Sequence, residues 1–192
     1  VRTWKRVGRS PNYRYRSQLD GNESQLIASV VNSLVELFDE REQTAPHDEL
    51  AAITGITVGH STAPTDATLG RLLPDFHRPD QDEELCAETV NGNVNAALRS
   101  VNEPHIISAK RAAAQTLLDS LPMNGGNLEL TEAQALEWLT ALNDVRLALG
   151  AMLGITEDTP EELPYDDPKA GHLEVYRWLT LVQMLLVEEL MR

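Results

Sequence analysis

From Trp178 to Val187 the chain is apolar at every position except Thr180 and Gln183. A helix that is hydrophobic on nearly every side has to be enclosed, either by other helices or by a second subunit. This run directs the reading towards a packed helical bundle. Asp167-Pro168 is well placed to start the helix, because proline suits a first helical turn.

Helical periodicity recurs upstream. Ile27, Val30, Val31, Leu34 and Phe38 make one apolar stripe at the i, i+3, i+4, i+7 spacing. That helix opens at Asn22, with Asp20 or Asn22 as its cap, and closes at Ala45-Pro46. A second helix, Glu83 to Val101, carries Cys86, Val90, Val94, Ala97 and Val101 on one side, and a third runs from Pro104 to Leu121. Thr131 opens a fourth, where Gln134 completes a capping box and Gly154 supplies the stop.

The connections are equally marked. Glycines and prolines punctuate residues 54 to 80, which read as loop with one helical turn around Asp66 to Leu72. Met123 to Leu128 reads as a turn around Gly125-Gly126, and Thr156 to Asp167 as an exposed acidic loop. Roughly 60% of the chain is helical on this reading, well above the usual share.

The first eighteen residues differ. Thr3-Trp4-Lys5-Arg6-Val7 and Asn12-Tyr13-Arg14-Tyr15-Arg16 flank Gly8-Arg9-Ser10-Pro11, the pattern of two strands about a turn. The expected fold is therefore mainly α, a bundle of about five to six helices with a small N-terminal β-hairpin. It is read as a single domain over 1–192, with a basic hairpin at 1–18 and an acidic helical bundle at 22–192.

Charge separates the same two parts. The chain holds 16 basic and 30 acidic residues, net −14, yet residues 1 to 20 hold six bases and one acid. An acidic body repels polyanions, which disfavours general binding to nucleic acid or anionic membrane. The hairpin is the exception, because Trp4, Tyr13 and Tyr15 interleave with Arg2, Lys5, Arg6, Arg9, Arg14 and Arg16. Such a surface can stack on bases and pair with phosphates, or meet a partner subunit. No apolar run reaches the length that spans a bilayer and no signal-peptide pattern opens the chain, so a cytoplasmic location without membrane contact is expected.

Catalytic signatures are missing. The sequence has no Walker loop, no G-x-G-x-x-G, no H-E-x-x-H and no EF-hand loop. The histidines at 47, 60, 77, 105 and 172 are never three or four residues apart, so helical metal pairing is absent too, and neither metal nor cofactor is expected. Gly59-His60-Ser61-Thr62-Ala63 approximates a nucleophile elbow, but that device needs a parallel sheet beneath it. Pro64 interrupts the segment beyond the serine, and no further strand is available to build the sheet.

Arg146 is more informative. On the wheel of the fourth helix it falls between Leu139 and Leu142, towards the core, with Asn143 partly buried beside Leu136 and Leu147. Glu137, Thr140 and Asp144 face water on the same projection. A buried guanidinium requires acceptors, and Glu83, Glu84 or Glu88 are candidates. Arg146 and Asn143 then either clamp helix register or line a pocket for a small anion.

The run Trp138-Leu139-Thr140-Ala141-Leu142-Asn143-Asp144-Val145-Arg146-Leu147-Ala148-Leu149-Gly150 resembles the signature of an actinobacterial family, DUF2017. Arg71-Leu72-Leu73-Pro74-Asp75, followed by the acids of 80–84, resembles a second block of it; Trp4-Lys5-Arg6 and the apolar last helix agree. Residues 91–104 depart from the pattern, in which a more basic helix runs on. The resemblance implies a cytoplasmic protein with no assigned catalytic residues. Its members' genes often neighbour that of the ClpS adaptor of Clp proteolysis, and some members are labelled transcriptional regulators. The resulting expectation is a non-enzymatic interaction or regulatory module that binds a protein partner and self-associates. A nucleic-acid-binding regulator using the hairpin is the alternative, and a small-anion-binding protein or enzyme around Arg146 comes third.

Overall fold

The computed structural model describes residues 3–46, 58–77, 88–160, 163–164 and 166–192. Arg2, Cys86, Glu83 and Glu84 lie outside these residues, as does the Glu88 side chain. The elements in chain order are β1 (Lys5–Val7), β2 (Arg14–Leu19), α1 (Gly21–Gln43), α2 (Ala67–Leu72), α3 (Glu88–Ser120), β3 (Gly126–Thr131), α4 (Glu132–Leu153) and α5 (Ala170–Leu190). The fold is mainly α, as the periodicity requires.

Two helix starts follow from local chemistry. Asp20 accepts from the Glu23 amide at 2.9 Å while Glu23 accepts from the Asp20 amide at 2.9 Å. Thr131 and Gln134 repeat the arrangement at α4, at 3.2 and 3.0 Å. Each box satisfies two amide donors that a helix end otherwise leaves open. α4 is the central helix, packing on α1, α2, α3 and α5. Its Trp138 and Leu142 are fully buried against the stripe of Ile27, Val31, Leu34 and Phe38 from α1 and Ile107 and Leu117 from α3.

The hairpin exists, but it is not an appendage. Residues 126–131 form a third strand where a turn was expected, giving an antiparallel sheet in the order β1-β2-β3. The turn residues are real and sit just before it. A Cβ on Gly125 would lie 2.6 Å from the Gly21 amide nitrogen, so only glycine lets β3 enter beside the start of α1. After Gly126 the side chains alternate, with Leu128 and Leu130 inward and Asn127 and Glu129 outward. Tyr15 pairs with Leu130 and Arg16 with Glu129 across the strands. Trp4 then anchors the sheet to the helices. It is 3% exposed and meets Trp138 edge-on, with ring centroids 6.0 Å apart.

The second and third helices of the sequence reading are one continuous helix, α3, with Pro104 inside it. Proline has no N–H, so the carbonyl four residues earlier loses its helical partner. The amide of Gly59 takes that place, donating to Ser100 O at 2.7 Å. The break signalled by proline is thus repaired from outside the helix.

α5 also differs from expectation. Leu173, Leu179, Val182 and Leu186 are buried, but Leu181 and Met184 face outward and are nearly half exposed. The bundle therefore encloses only one side of this helix. Among the described residues no helix is long and apolar enough to cross a membrane.

Candidate functional site

Arg146 is half-buried where α4 meets α5. Its Nε donates to Thr180 Oγ1 at 2.9 Å, one guanidinium nitrogen donates to Gln183 Oε1, and its guanidinium carbon lies 5.5 Å from the Tyr176 ring centroid. Thr180 in turn donates to Tyr176 O at 2.8 Å. The two polar interruptions of the apolar run are therefore the residues that receive this arginine. These acceptors are neutral side chains; the side chains of Glu83, Glu84 and Glu88, the carboxylates anticipated, lie outside the described residues. A guanidinium still partly in water needs no buried counter-charge. Asn143 is half-buried one turn earlier and takes no part in these bonds.

Among the described residues the fully buried arginine is a different one. Arg99 is 1% exposed; it donates to Glu103 Oε2 at 2.8 Å, to Leu73 O at 3.0 Å, to Pro74 O at 3.2 Å and to Asp75 Oδ1 at 2.9 Å. Glu103, equally buried, receives Arg41 from α1 on its other oxygen at 2.8 Å. Sequence reasoning missed this network. A signal was present, since Asn95, Arg99 and Glu103 stand four residues apart on one helical face. The block 71–75 is what they hold. Arg99 grips Leu73, Pro74 and Asp75, while Asn95 exchanges two bonds with the His77 backbone at 2.8 and 2.9 Å.

Asp144 is buried, not solvated. Its Oδ1 accepts from Lys110 Nζ of α3 at 2.6 Å, and its Oδ2 has no partner among the described residues. Burial pushes its carboxyl above the ordinary value of 3.8, against the opposing pull of Lys110. The helical wheel placed it outward because it treats one face of α4 as free. α3 occupies that side.

At the sheet, the proposed contact residues divide. Trp4 and Tyr15 are core residues, 3% and 2% exposed, and present no ring to a ligand. Tyr13 is half-exposed, with the Arg6 guanidinium 4.6 Å above its ring centroid. Arg14 donates to Tyr13 O at 3.0 Å, and Arg16 pairs with Glu129. Lys5 stands opposite Arg16, and Val7 opposite Arg14, on the outward side. What reaches solvent is a cationic face of Lys5, Arg14 and Arg16, with Arg9 on the turn, rather than an aromatic platform.

Among the described residues no parallel sheet lies beneath the near-elbow. His60 Nε2 lies 2.8 Å from Arg41 O and 3.3 Å from Thr44 Oγ1, and the described sheet is antiparallel and distant in sequence. Ile56 and Thr57 ahead of it lie outside the described residues. No three His, Cys, Asp or Glu residues are grouped to hold a metal among the described residues. A cavity of about 440 Å³ opens between α1, α2, α4 and the head of α5, walled by Val30, Leu34, Val145 and Leu149, with Met152 and His172 among its lining.

The blocks at 71–75 and 138–150 thus mark two internal clamps, and the comparison with known families agrees with their resemblance. The family described as a domain of unknown function (DUF2017) matches residues 1–190. The chain belongs to the DUF2017 family. It is 51% identical over its whole length to the oxidative stress regulator AosR of Mycobacterium tuberculosis, covering 88% of that protein. It is 48% identical to the putative oxidative stress regulator AosR of Mycobacterium leprae, again over the whole chain and 89% of the relative. No solved structure matches it.

Proposed function

We propose that this chain is a non-enzymatic regulatory protein of the oxidant response that works by binding a protein partner. The identity of 51% along the entire chain to proteins named oxidative stress regulators carries this reading. The fate of the polar residues supports it. Arg99, Glu103, Arg41 and Asp144, charged groups drawn into the interior, are spent on holding helices and the 58–77 segment together.

The cationic sheet face is the surface assigned to the partner. It lies on β1 and β2, two strands at roughly 4.8 Å spacing, with Glu129 of β3 already at its edge, and the rest of the chain is strongly acidic. An extended polyanion would run off this patch onto like charge within a few Debye lengths, whereas a protein can place carboxylates locally. The exposed Leu181 and Met184 of α5 are the surface assigned to self-association. A particle of 21.3 kDa at every micromolar concentration in light scattering would contradict self-association.

The regulatory reading is tested by deleting the gene in its host and measuring survival under hydrogen peroxide. Loss of survival restored by the intact gene is expected. Unchanged survival and unchanged transcript levels would overturn the reading.

A further inference from the structure

Methionine is usually a core residue, yet all four in this chain are exposed: Met123 by 53%, Met152 by 51%, Met184 by 49% and Met191 by 83%. The single cysteine, Cys86, cannot close a disulfide within these residues. Among the described residues these thioethers are the sulfur, all of it accessible, and one of them stands at a cavity. Met152 lies near the end of α4, half in solvent and half against the 440 Å³ space between α1 and α4. A space of that size with mostly apolar walls suits a small organic ligand. Rigid helices supply those walls: Val30 and Leu34 from α1, Val145 and Leu149 from α4. The Asp66 carboxylate at the rim already accepts from the Leu69 amide at 2.9 Å, capping α2.

We propose that Met152 is an oxidant-sensitive gate residue on a binding cavity for a small, uncharged, mainly apolar molecule. The oxidant class is a peroxide. The sulfur lone pair attacks one peroxide oxygen, the O–O bond breaks, and the second oxygen leaves as water after taking up a proton. The thioether becomes a sulfoxide, oxidised by two electrons, while hydrogen peroxide is reduced to water. A polar S=O on that wall must either lose water or keep it in the cavity, so the apolar ligand binds less well. Because the Met152 residue is half exposed, oxidation changes the cavity without opening the core. The proposal rests on the oxidant-response reading for its biological meaning, but the chemistry stands apart from it.

The test uses the purified full chain and the neutral fluorophore N-phenyl-1-naphthylamine as probe. The untreated chain is expected to bind it saturably, one to one, and Ser33→Phe, which fills the cavity from an exposed position, is expected to abolish binding. Hydrogen peroxide, with sulfoxide at Met152 verified by peptide mass, is expected to weaken binding about tenfold and leave the melting temperature unchanged. Met152→Leu keeps the bulk but cannot be oxidised, so its binding is expected to survive peroxide. Methionine sulfoxide reductase should restore the parent chain. Binding that persists in Ser33→Phe, or an equal loss in Met152→Leu, would overturn the proposal. A gene deletion without a peroxide phenotype would remove the oxidant-response reading and leave these in vitro results standing.

Discussion

The amide of Gly59 donates to the carbonyl of Ser100 at 2.7 Å, the carbonyl that Pro104 deprives of its helical partner. The same contact brings the Gly59 backbone against the proline ring, where an added Cβ would lie 2.8 Å from Pro104 Cγ. Gly59→Ala is therefore expected to cost about 1–3 kcal/mol by overpacking, a fall of several degrees in melting temperature for a chain of this size. Calorimetry of the variant checks it, and an unshifted midpoint would mean the loop is not seated on α3.

Glu103 lies between two arginines, Arg41 and Arg99, with almost no exposure. Removing one partner of a buried ion group strands the others. Glu103→Ala is expected to lose about 3–5 kcal/mol in urea unfolding, far more than Glu129→Ala, whose exposed pair with Arg16 is worth at most about 1 kcal/mol. Equal losses would contradict the network as drawn.

Asp144 holds its proton more tightly in the folded chain than in the unfolded one, because burial raises its pKa. Between the unfolded value, about 3.9, and the raised folded value, the folded chain carries the extra proton. The contribution of Asp144 to stability is therefore fullest below that window and falls as pH rises through it. Relative to the parent, Asp144→Asn should gain stability as pH is raised from about 3.5 towards neutrality. Urea midpoints at a series of pH values measure this; a difference that stays constant with pH would refute it.

Lys5, Arg14 and Arg16 lie on the outward face of the sheet and support no core contact. The double variant Arg14→Glu, Arg16→Glu should keep the parent's melting temperature within a few degrees, as surface changes do. It should also lose at least tenfold in partner affinity at about 0.1 M salt, where such charges act most strongly. A titration with the purified partner decides it, with retained affinity as the contrary result.

Local patterns make most of the helical frame readable in the sequence. The α1 stripe from Ile27 to Phe38, the capping box at Thr131 and the hairpin about Gly8 all depend on residues close in sequence. What was not readable depends on distant partners. β3 has only two inward leucines, Leu128 and Leu130, and becomes a strand by pairing with β2 more than a hundred residues earlier. Pro104 signals a break unless Gly59 is known to supply the missing donor. The wheel of α4 marked Arg146 as the buried cation, but burial went to Arg99; its i+4 partner Glu103 stands in the local pattern, whereas Asp75 and the carbonyls of Leu73 and Pro74 come from a segment more than twenty residues earlier. Trp4 and Tyr15 looked like a stacking surface because alternation shows which rings share a face, not which face meets the core.

The most direct test of the regulatory account is quantitative capture of partners by the intact chain from native lysate. It is performed with and without nuclease, and before and after peroxide treatment of the cells, with the Arg14→Glu, Arg16→Glu variant alongside. The account predicts a nuclease-resistant protein partner whose recovery changes after peroxide and falls with the variant. Recovery that disappears with nuclease, or that ignores both peroxide and the variant, would contradict it.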